Sequence, residues 1–258
     1  MEKTENEDFH YATQRYVDKI VTGQETGMKT KYLTNYVTFV KRYVPKGAKV
    51  LDLGCGAGMS TNLLSQDYDV LGADLSGPVL DYAKESFKNV KFQHEDARKL
   101  SFKEETFDAT LACGFIEHIT EVDEVLNEMV RVTKKDGLII FVSPNWFSPY
   151  RAVKAFIHPK GYETIGRNRF QITGWFFKSV YYTVQKHISP KYVFRNPDIF
   201  GEELVGNDID MVYIANQYDL RKALRKRKCK VMKINADTFD YCSIATLAPW
   251  LGVVGKKL

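Results

Sequence analysis

The run Val50-Leu51-Asp52-Leu53-Gly54-Cys55-Gly56-Ala57-Gly58 concentrates the chemistry of this chain. A short apolar stretch enters three alternate glycines, and Met59–Ser65 can follow as a helix. Glycine tolerates positive φ and lets a ligand come close to the backbone. A helix start offers free N–H groups to an anionic group such as a carboxylate. Asp74 follows Gly58 by sixteen residues, at the end of the next apolar run. A carboxylate there can accept two hydrogen bonds from a ribose diol. A dinucleotide fingerprint is G-x-G-x-x-G, but here the third glycine comes one residue early and an acid, Asp52, sits inside the strand end. An acid at that point can pair with a ligand ammonium group, which a pyrophosphate lacks. The spacing D-x-G-x-G-x-G therefore favours an amino-acid-bearing nucleoside over a dinucleotide. A tight structural turn is the competing reading.

These residues need elements to position them. Residues 9–44 read as helical segments, with Tyr32, Tyr36, Phe39, Val40 and Tyr43 at helical spacing, closed by Pro45-Lys46-Gly47. Strands are expected at Lys49–Leu53, Asp69–Ala73, Val90–Gln93, Phe107–Ala112 and Leu138–Val142. Helices are expected at Pro78–Phe87, with proline in its first turn, and at the amphipathic Val122–Val132. Lys135-Asp136-Gly137 reads as a turn before the fifth strand. Short apolar strands alternating with helices imply a doubly wound α/β fold with mostly parallel strands. Ala215–Arg227 reads as a last helix, and Val231–Ile234 and Tyr241–Thr246 as two edge strands.

Residues 45–145 resemble the class I S-adenosylmethionine-dependent methyltransferases. VLDLGCGAG resembles that family's first motif, LGADLS its second and HEDARKLSF its third. FDATLACGFIEHI resembles the fourth, and LNEMVRVTKKDGLIIFV the fifth. The resemblance implies a seven-stranded, mostly parallel sheet with one antiparallel strand, and methyl transfer from S-adenosylmethionine. Carried over by position, Asp52, Gly54, Gly56 and Gly58 would hold the methionyl part. Asp74 would bind the ribose, with Leu75 near the adenine. Asp96 would bond the adenine amino group and Ala97 would supply backbone. Cys113 and Gly114 would line the wall near the sulfonium. Relatives often carry Gly-Phe before the sixth strand, where this chain has Lys228-Cys229, which leaves the edge-strand boundaries open.

His118 follows the fourth strand, and imidazole titrates near neutral pH, so it is the expected general base if the acceptor must lose a proton. The bland alternative has His118 packing a loop beside a solvated Glu117. The N-terminal aromatics Phe9, Tyr11 and Tyr16 can form a lid over the cofactor, or pack as a helix on the sheet.

The chain of 258 residues has a mild net charge of +5, but the charge is uneven. Residues 145–200 hold nine Lys/Arg against two Asp/Glu, and 14 aromatics. Connections after a strand are usually short, so 145–206 reads as a helical cap inserted after the fifth strand. Ser148-Pro149 starts one helix, and Thr173–His187 forms a second with an apolar stripe of Phe176, Phe177, Val180, Tyr181 and Val184, leaving Lys178 and Lys186 on other faces. Tyr150, Arg167 and Arg169 are the expected acceptor contacts, the two arginines bracketing Asn168 in a loop. A basic aromatic cap fits an anionic small molecule or carrier-linked acceptor, an anionic membrane, or RNA. Alternatively, the aromatics are simply the core of the cap. The run Arg221–Lys230 holds seven basic residues in ten and reads better as an exposed helix face than as a nucleic-acid patch. No RNA-binding module accompanies it, so nucleic acid ranks below a small acceptor.

The chain reads as a single methyltransferase domain over 1–258, with a lid at 1–44, a cofactor core at 45–144, a cap at 145–206 and edge elements at 207–258. The expected activity is methyl transfer to oxygen or nitrogen of a small-molecule or carrier-linked acceptor, anionic or partly apolar. An RNA methyltransferase and a non-catalytic S-adenosylmethionine-binding partner protein stand as alternatives. Four scattered cysteines without a CxxC pair disfavour a disulfide scaffold or a zinc site. Reduced thiols and an acidic N-terminus without an apolar leader suit a cytoplasmic protein, or one at the membrane periphery. No metal is expected, and the oligomeric state stays open.

Overall fold

The computed structural model describes residues 17–18, 21, 27–145, 148–158, 168–194, 212–235 and 250–258. Strand β1 (Lys49–Leu53) lies between parallel neighbours β2 (Asp69–Asp74) and β4 (Phe107–Cys113). Strand β3 (Lys91–His94) pairs in parallel outside β2. With β5 (Thr133–Pro144), β6 (Cys229–Asn235) and β7 (Trp250–Lys257), the mixed seven-stranded sheet has the order β3-β2-β1-β4-β5-β7-β6. Val50, Leu51, Leu53, Ala109, Leu111 and Ala112 are all buried, as strands covered on both faces require.

Helices join the strands because parallel neighbours need a crossover. Helix α1 (Gly27–Lys41) buries Tyr36, Phe39 and Val40. Helices α2 (Met59–Leu64) and α3 (Gly77–Ser86) follow β1 and β2. Helix α4 (Val122–Val132) buries Val122, Val125, Leu126, Met129 and Val132, an i, i+3, i+4, i+7 stripe. The chain then runs straight into β5, which continues through the expected turn at Lys135-Asp136-Gly137, with Asp136 at φ 62°. Glycine following a left-handed residue allows that strand to bend without ending.

Two compact units divide the chain. The first comprises Met1–Cys113, Asp123–Ile140 and Lys257–Leu258, and the second Gly114–Val122 and Phe141–Lys256. In the second unit, α5 (Pro149–Ile157), α6 (Arg169–Ile188) and α7 (Gln217–Lys226) follow β5. Three expectations are corrected here. The final strand is Trp250–Lys257, while the expected strand Tyr241–Thr246 lies outside the described residues. Helix α6 starts at Arg169 rather than Thr173, because Asn168 caps it by accepting from the Gln171 N–H at 2.9 Å. Arg169 is therefore on a helix, not in a loop.

The third correction concerns the faces of α6. Ile172, Ser179 and Lys186 are buried, whereas Phe177, Val180, Tyr181 and Val184 are exposed. The apolar stripe faces away from the packed side, and one of its expected surface lysines is inside. On α7 the basic run does form an exposed face, with Leu220, Ala223 and Leu224 buried beneath Lys222, Arg225 and Lys226.

Candidate active site

In the first unit, Gly54, Gly56 and Gly58 all adopt positive φ, at 71°, 54° and 82°. A side chain in that region costs roughly 1–2 kcal/mol per residue, which is why glycine occupies each position. The Gly54 and Cys55 N–H groups donate to the Ala73 carbonyl at 2.8 and 3.1 Å. The Gly56 N–H donates to Asp74 Oδ2 at 2.9 Å, and the Ser76 N–H to Asp74 Oδ1 at 2.9 Å. Asp74 therefore ties the turn after β1 to the turn after β2. Burial pushes its carboxyl above the usual range, and the N–H groups of Ser76, Gly56 and Leu75 oppose that rise. Its two oxygens offer about four lone-pair sites, so room is left beside these donors for a ligand hydroxyl.

Asp52 is only 1% exposed. Its Oδ2 accepts from Ser60 Oγ at 2.8 Å and Thr61 Oγ1 at 2.7 Å, and its Oδ1 from Tyr36 Oη at 3.3 Å. Burial raises its carboxyl too, against the pull of those hydroxyls. Asp52 thus clamps α1 and α2 to the turn, and three hydroxyls stand where a ligand ammonium group was expected to contact it. Any help it gives a ligand amine acts through its charge. The Cys55 thiol is pushed well up by burial and by the two nearby aspartates, so it is no nucleophile near neutral pH.

The ring of Phe92 on β3 fills the space that two missing side chains leave. A Cβ on Gly58 would meet it at 2.6 Å, and one on Gly72 at 2.7 Å. Val17 and Val21 pack with Ala57 of the turn and with Val79 and Tyr82 of α3. The aromatics expected as a lid, Phe9, Tyr11 and Tyr16, lie outside the described residues.

The other expected contacts are distributed as follows. Leu75 is half-buried after Asp74, and Ala97 is buried. Asp96 is forked by Arg98: Nε reaches Oδ1 at 2.7 Å and Oδ2 at 2.9 Å, and Nη2 reaches Oδ2 at 2.6 Å. The Arg98 N–H also donates to Asp96 Oδ1 at 2.9 Å. Any adenine amino group must therefore share Asp96 with Arg98. Cys113 Sγ is 3.1 Å from Tyr32 Oη of α1.

In the second unit, Gly114 has φ 62° and donates its N–H to the Val142 carbonyl at 2.8 Å. His118 closes a 3-10 turn, Ile116–His118, just after β4. Glu117 is not solvated as the bland reading supposed. It is buried, accepts from Ser143 Oγ at 3.1 Å, and its carbonyl accepts from the Val212 and Tyr213 N–H groups at 2.8 and 2.9 Å. Tyr150 lies in the first turn of α5 with Lys154 Nζ 4.9 Å from its ring centre. Arg169 is exposed with its guanidinium 5.1 Å from the Phe156 ring, and Arg167 lies outside the described residues.

The turn fits a cationic amino-acid nucleoside. Two carboxylates of low exposure sit at adjacent strand ends, and among the described residues their hydrogen-bond donors are hydroxyls and backbone N–H groups, not basic side chains. Negative charge held in this way favours a ligand with an ammonium or sulfonium group. Residues 51–141 match the sequence profile of a methyltransferase domain. Over that stretch the chain is similar to methyltransferases.

A phosphatidylethanolamine N-methyltransferase of Cereibacter sphaeroides is 34% identical over 104 residues, covering 38% of this chain and 51% of that protein. A demethylmenaquinone methyltransferase of Staphylococcus aureus is 37% identical over 105 residues, covering 38% and 43%. The chain thus spans about half the length of those relatives or less. The crystal structure of a Pyrococcus horikoshii protein superposes with a TM-score of 0.59 at 20% identity, over 97% of this chain and 99% of that one. An S-adenosylmethionine-dependent methyltransferase from Thermotoga maritima gives 0.58 at 15% identity, over 98% and 99%. These likenesses show the fold alone, over nearly the whole chain.

Sequence reasoning missed Tyr36, Ser60, Thr61, Phe92 and Arg98. Ser60 and Thr61 carried a usable signal, since the helix after a glycine turn points its first residues back at the strand end. Phe92 carried none, because its partners are glycines on other elements.

Proposed function

We propose that this methyltransferase transfers a methyl group from S-adenosylmethionine to a polar atom, oxygen or nitrogen, of a small-molecule or lipid-borne acceptor. The observation that carries the reading is Asp74 joined to the Gly56 N–H, an acid built into the glycine turn where a ribose diol could reach it. S-adenosylmethionine supplies a methyl carbon already activated by positive sulfur. The protein's own residues then have mainly to bind and align. Asp74 would hold the ribose, Asp96 and Ala97 the adenine, and the side-chain-free Gly56 and Gly58 admit the methionyl part to the backbone. Alignment of two reactants alone can contribute about 7–11 kcal/mol. The two relatives are named for phosphatidylethanolamine and demethylmenaquinone, both lipids, which supports a lipid-borne acceptor. A cytoplasmic location goes with this reading.

Calorimetric titration with S-adenosylhomocysteine tests the binding half. The wild type is expected to bind, and Asp74→Ala to bind about 10²–10⁴-fold more weakly, the loss of two hydrogen bonds to a charged acceptor at roughly 1.5–3 kcal/mol each. A wild type that takes up neither S-adenosylhomocysteine nor S-adenosylmethionine at high micromolar concentration overturns the proposal.

His118 is the proposed general base. His118→Ala is expected to lower turnover about 10²–10⁴-fold while cofactor affinity stays within about threefold of wild type. Turnover within a few-fold of wild type would remove His118 from that role and leave an acceptor that needs no deprotonation.

A further inference from the structure

The second unit carries an apolar helix face that packs against nothing described. On α6, Phe170, Phe177, Tyr181, Val184 and Ile188 recur at intervals of seven, four, three and four residues, which places them on one line along the helix. They point away from the buried Ile172, Ser179 and Lys186. Phe170 is 89% exposed, Ile188 77% and Phe177 67%. The line covers roughly 27 Å at 1.5 Å per residue. Helix α5 packs on α6 through Ala155, Ile172 and Trp175, and adds exposed Val153, Phe156 and Ile157. So much exposed apolar surface on two neighbouring helices marks an interaction site.

The charge around the patch selects the partner. Besides the buried Lys186, residues 148–158 and 168–194 contain five Lys/Arg and no Asp/Glu. Arg169 stands over the Phe156 ring, and Lys178 Nζ lies 5.4 Å from the Trp175 ring centre. A second copy of the chain would bring the same cations against these, so self-association through this face meets like-charge repulsion. An anionic bilayer meets both demands at once: its acyl boundary takes the aromatic and aliphatic side chains, and its headgroups take the lysines and arginines. No described helix is long and apolar enough to cross a membrane, so α6 would lie along the surface.

We propose that the exposed faces of α5 and α6 dock this methyltransferase on an anionic lipid bilayer. Such docking deepens the reading of a lipid-borne acceptor and rests on it for its purpose, though not for its detection. The full chain is sedimented with phosphatidylcholine vesicles, with and without phosphatidylglycerol, at low salt. Binding to the anionic vesicles is expected, with affinity about tenfold lower on neutral ones or in the Arg169→Gln/Lys178→Gln variant. Phe170→Ser/Phe177→Ser is expected to weaken binding about tenfold or more while its melting temperature and S-adenosylhomocysteine affinity match wild type. A wild type that stays in the supernatant overturns the proposal, as does a serine variant that binds equally well. So does a wild-type dimer that the serine substitutions dissociate, in a protein that ignores vesicles. Vesicle binding together with failure to methylate any vesicle-borne acceptor keeps the docking face and sinks the lipid-acceptor reading. The reverse result sinks only the docking face.

Discussion

Lys186→Met in the full chain is expected to lower the unfolding free energy by about 3–5 kcal/mol, the cost of leaving a buried partner charge alone. Lys186 is only 1% exposed, although it sits on a helix whose apolar residues face solvent. Its Nζ is ion-paired with Asp219 of α7 and donates to the Ile214 carbonyl at 3.1 Å. Tyr213 Oη adds a bond to Asp219 Oδ2 at 3.4 Å, while Oδ1 is buried with no hydrogen-bond partner among the described residues. Burial holds Lys186 below its ordinary value despite the pull of Asp219, and holds Asp219 above its own despite Lys186. Each shift disfavours the charged form in the fold. The lysine's penalty is present at pH below its folded value and fades as pH rises through it. The aspartate's is present above its folded value and fades as pH falls through it. Attraction therefore does not repay desolvation, and Lys186→Met/Asp219→Leu should recover most of the loss or exceed wild type. Urea unfolding of the three proteins decides this. A single substitution costing under about 1 kcal/mol would mean that Asp219 finds another partner, and the pair does not hold α6 to α7.

Gly58→Ala should be the most damaging small change in the glycine turn. At φ 82° the new side chain costs roughly 1–2 kcal/mol, and overlap with Phe92 and Ala83 costs about 1–3 kcal/mol more. The sum threatens folding, and any folded protein should bind S-adenosylhomocysteine more weakly, because the turn has moved. Phe92→Ala separates the two costs. The double variant Gly58→Ala/Phe92→Ala should be more stable than the two single losses added together, by about the 1–3 kcal/mol of the overlap. Strict additivity in a melting or urea experiment would show that backbone strain alone explains the loss and that Phe92 does not press on the turn.

The turn was legible because its determinants are local. Three glycines at alternate positions need only their own backbone angles, and Asp74 needs only to end the next strand. The five core strands and α4 were legible by the same logic of period and punctuation. The turn expected at residues 135–137 was not, because Gly137 can bend a strand as readily as end it, and pairing with a neighbour decides which. Arg98 was next to an aspartate in the sequence and still missed, since a guanidinium two residues away can fold back or reach into solvent.

The sequence by itself determined the glycine turn, the succession of the core strands along the chain and the existence of a basic, aromatic pair of helices after β5. Periodicity on α6 identified its apolar line correctly. It could not say what that line faces, because a helix presents the same spacing to a core, a membrane or water. Tertiary structure decided it. Lys186 meets Asp219 thirty-three residues away on the buried side of the helix, and the aromatic face is outside with the cations beside it.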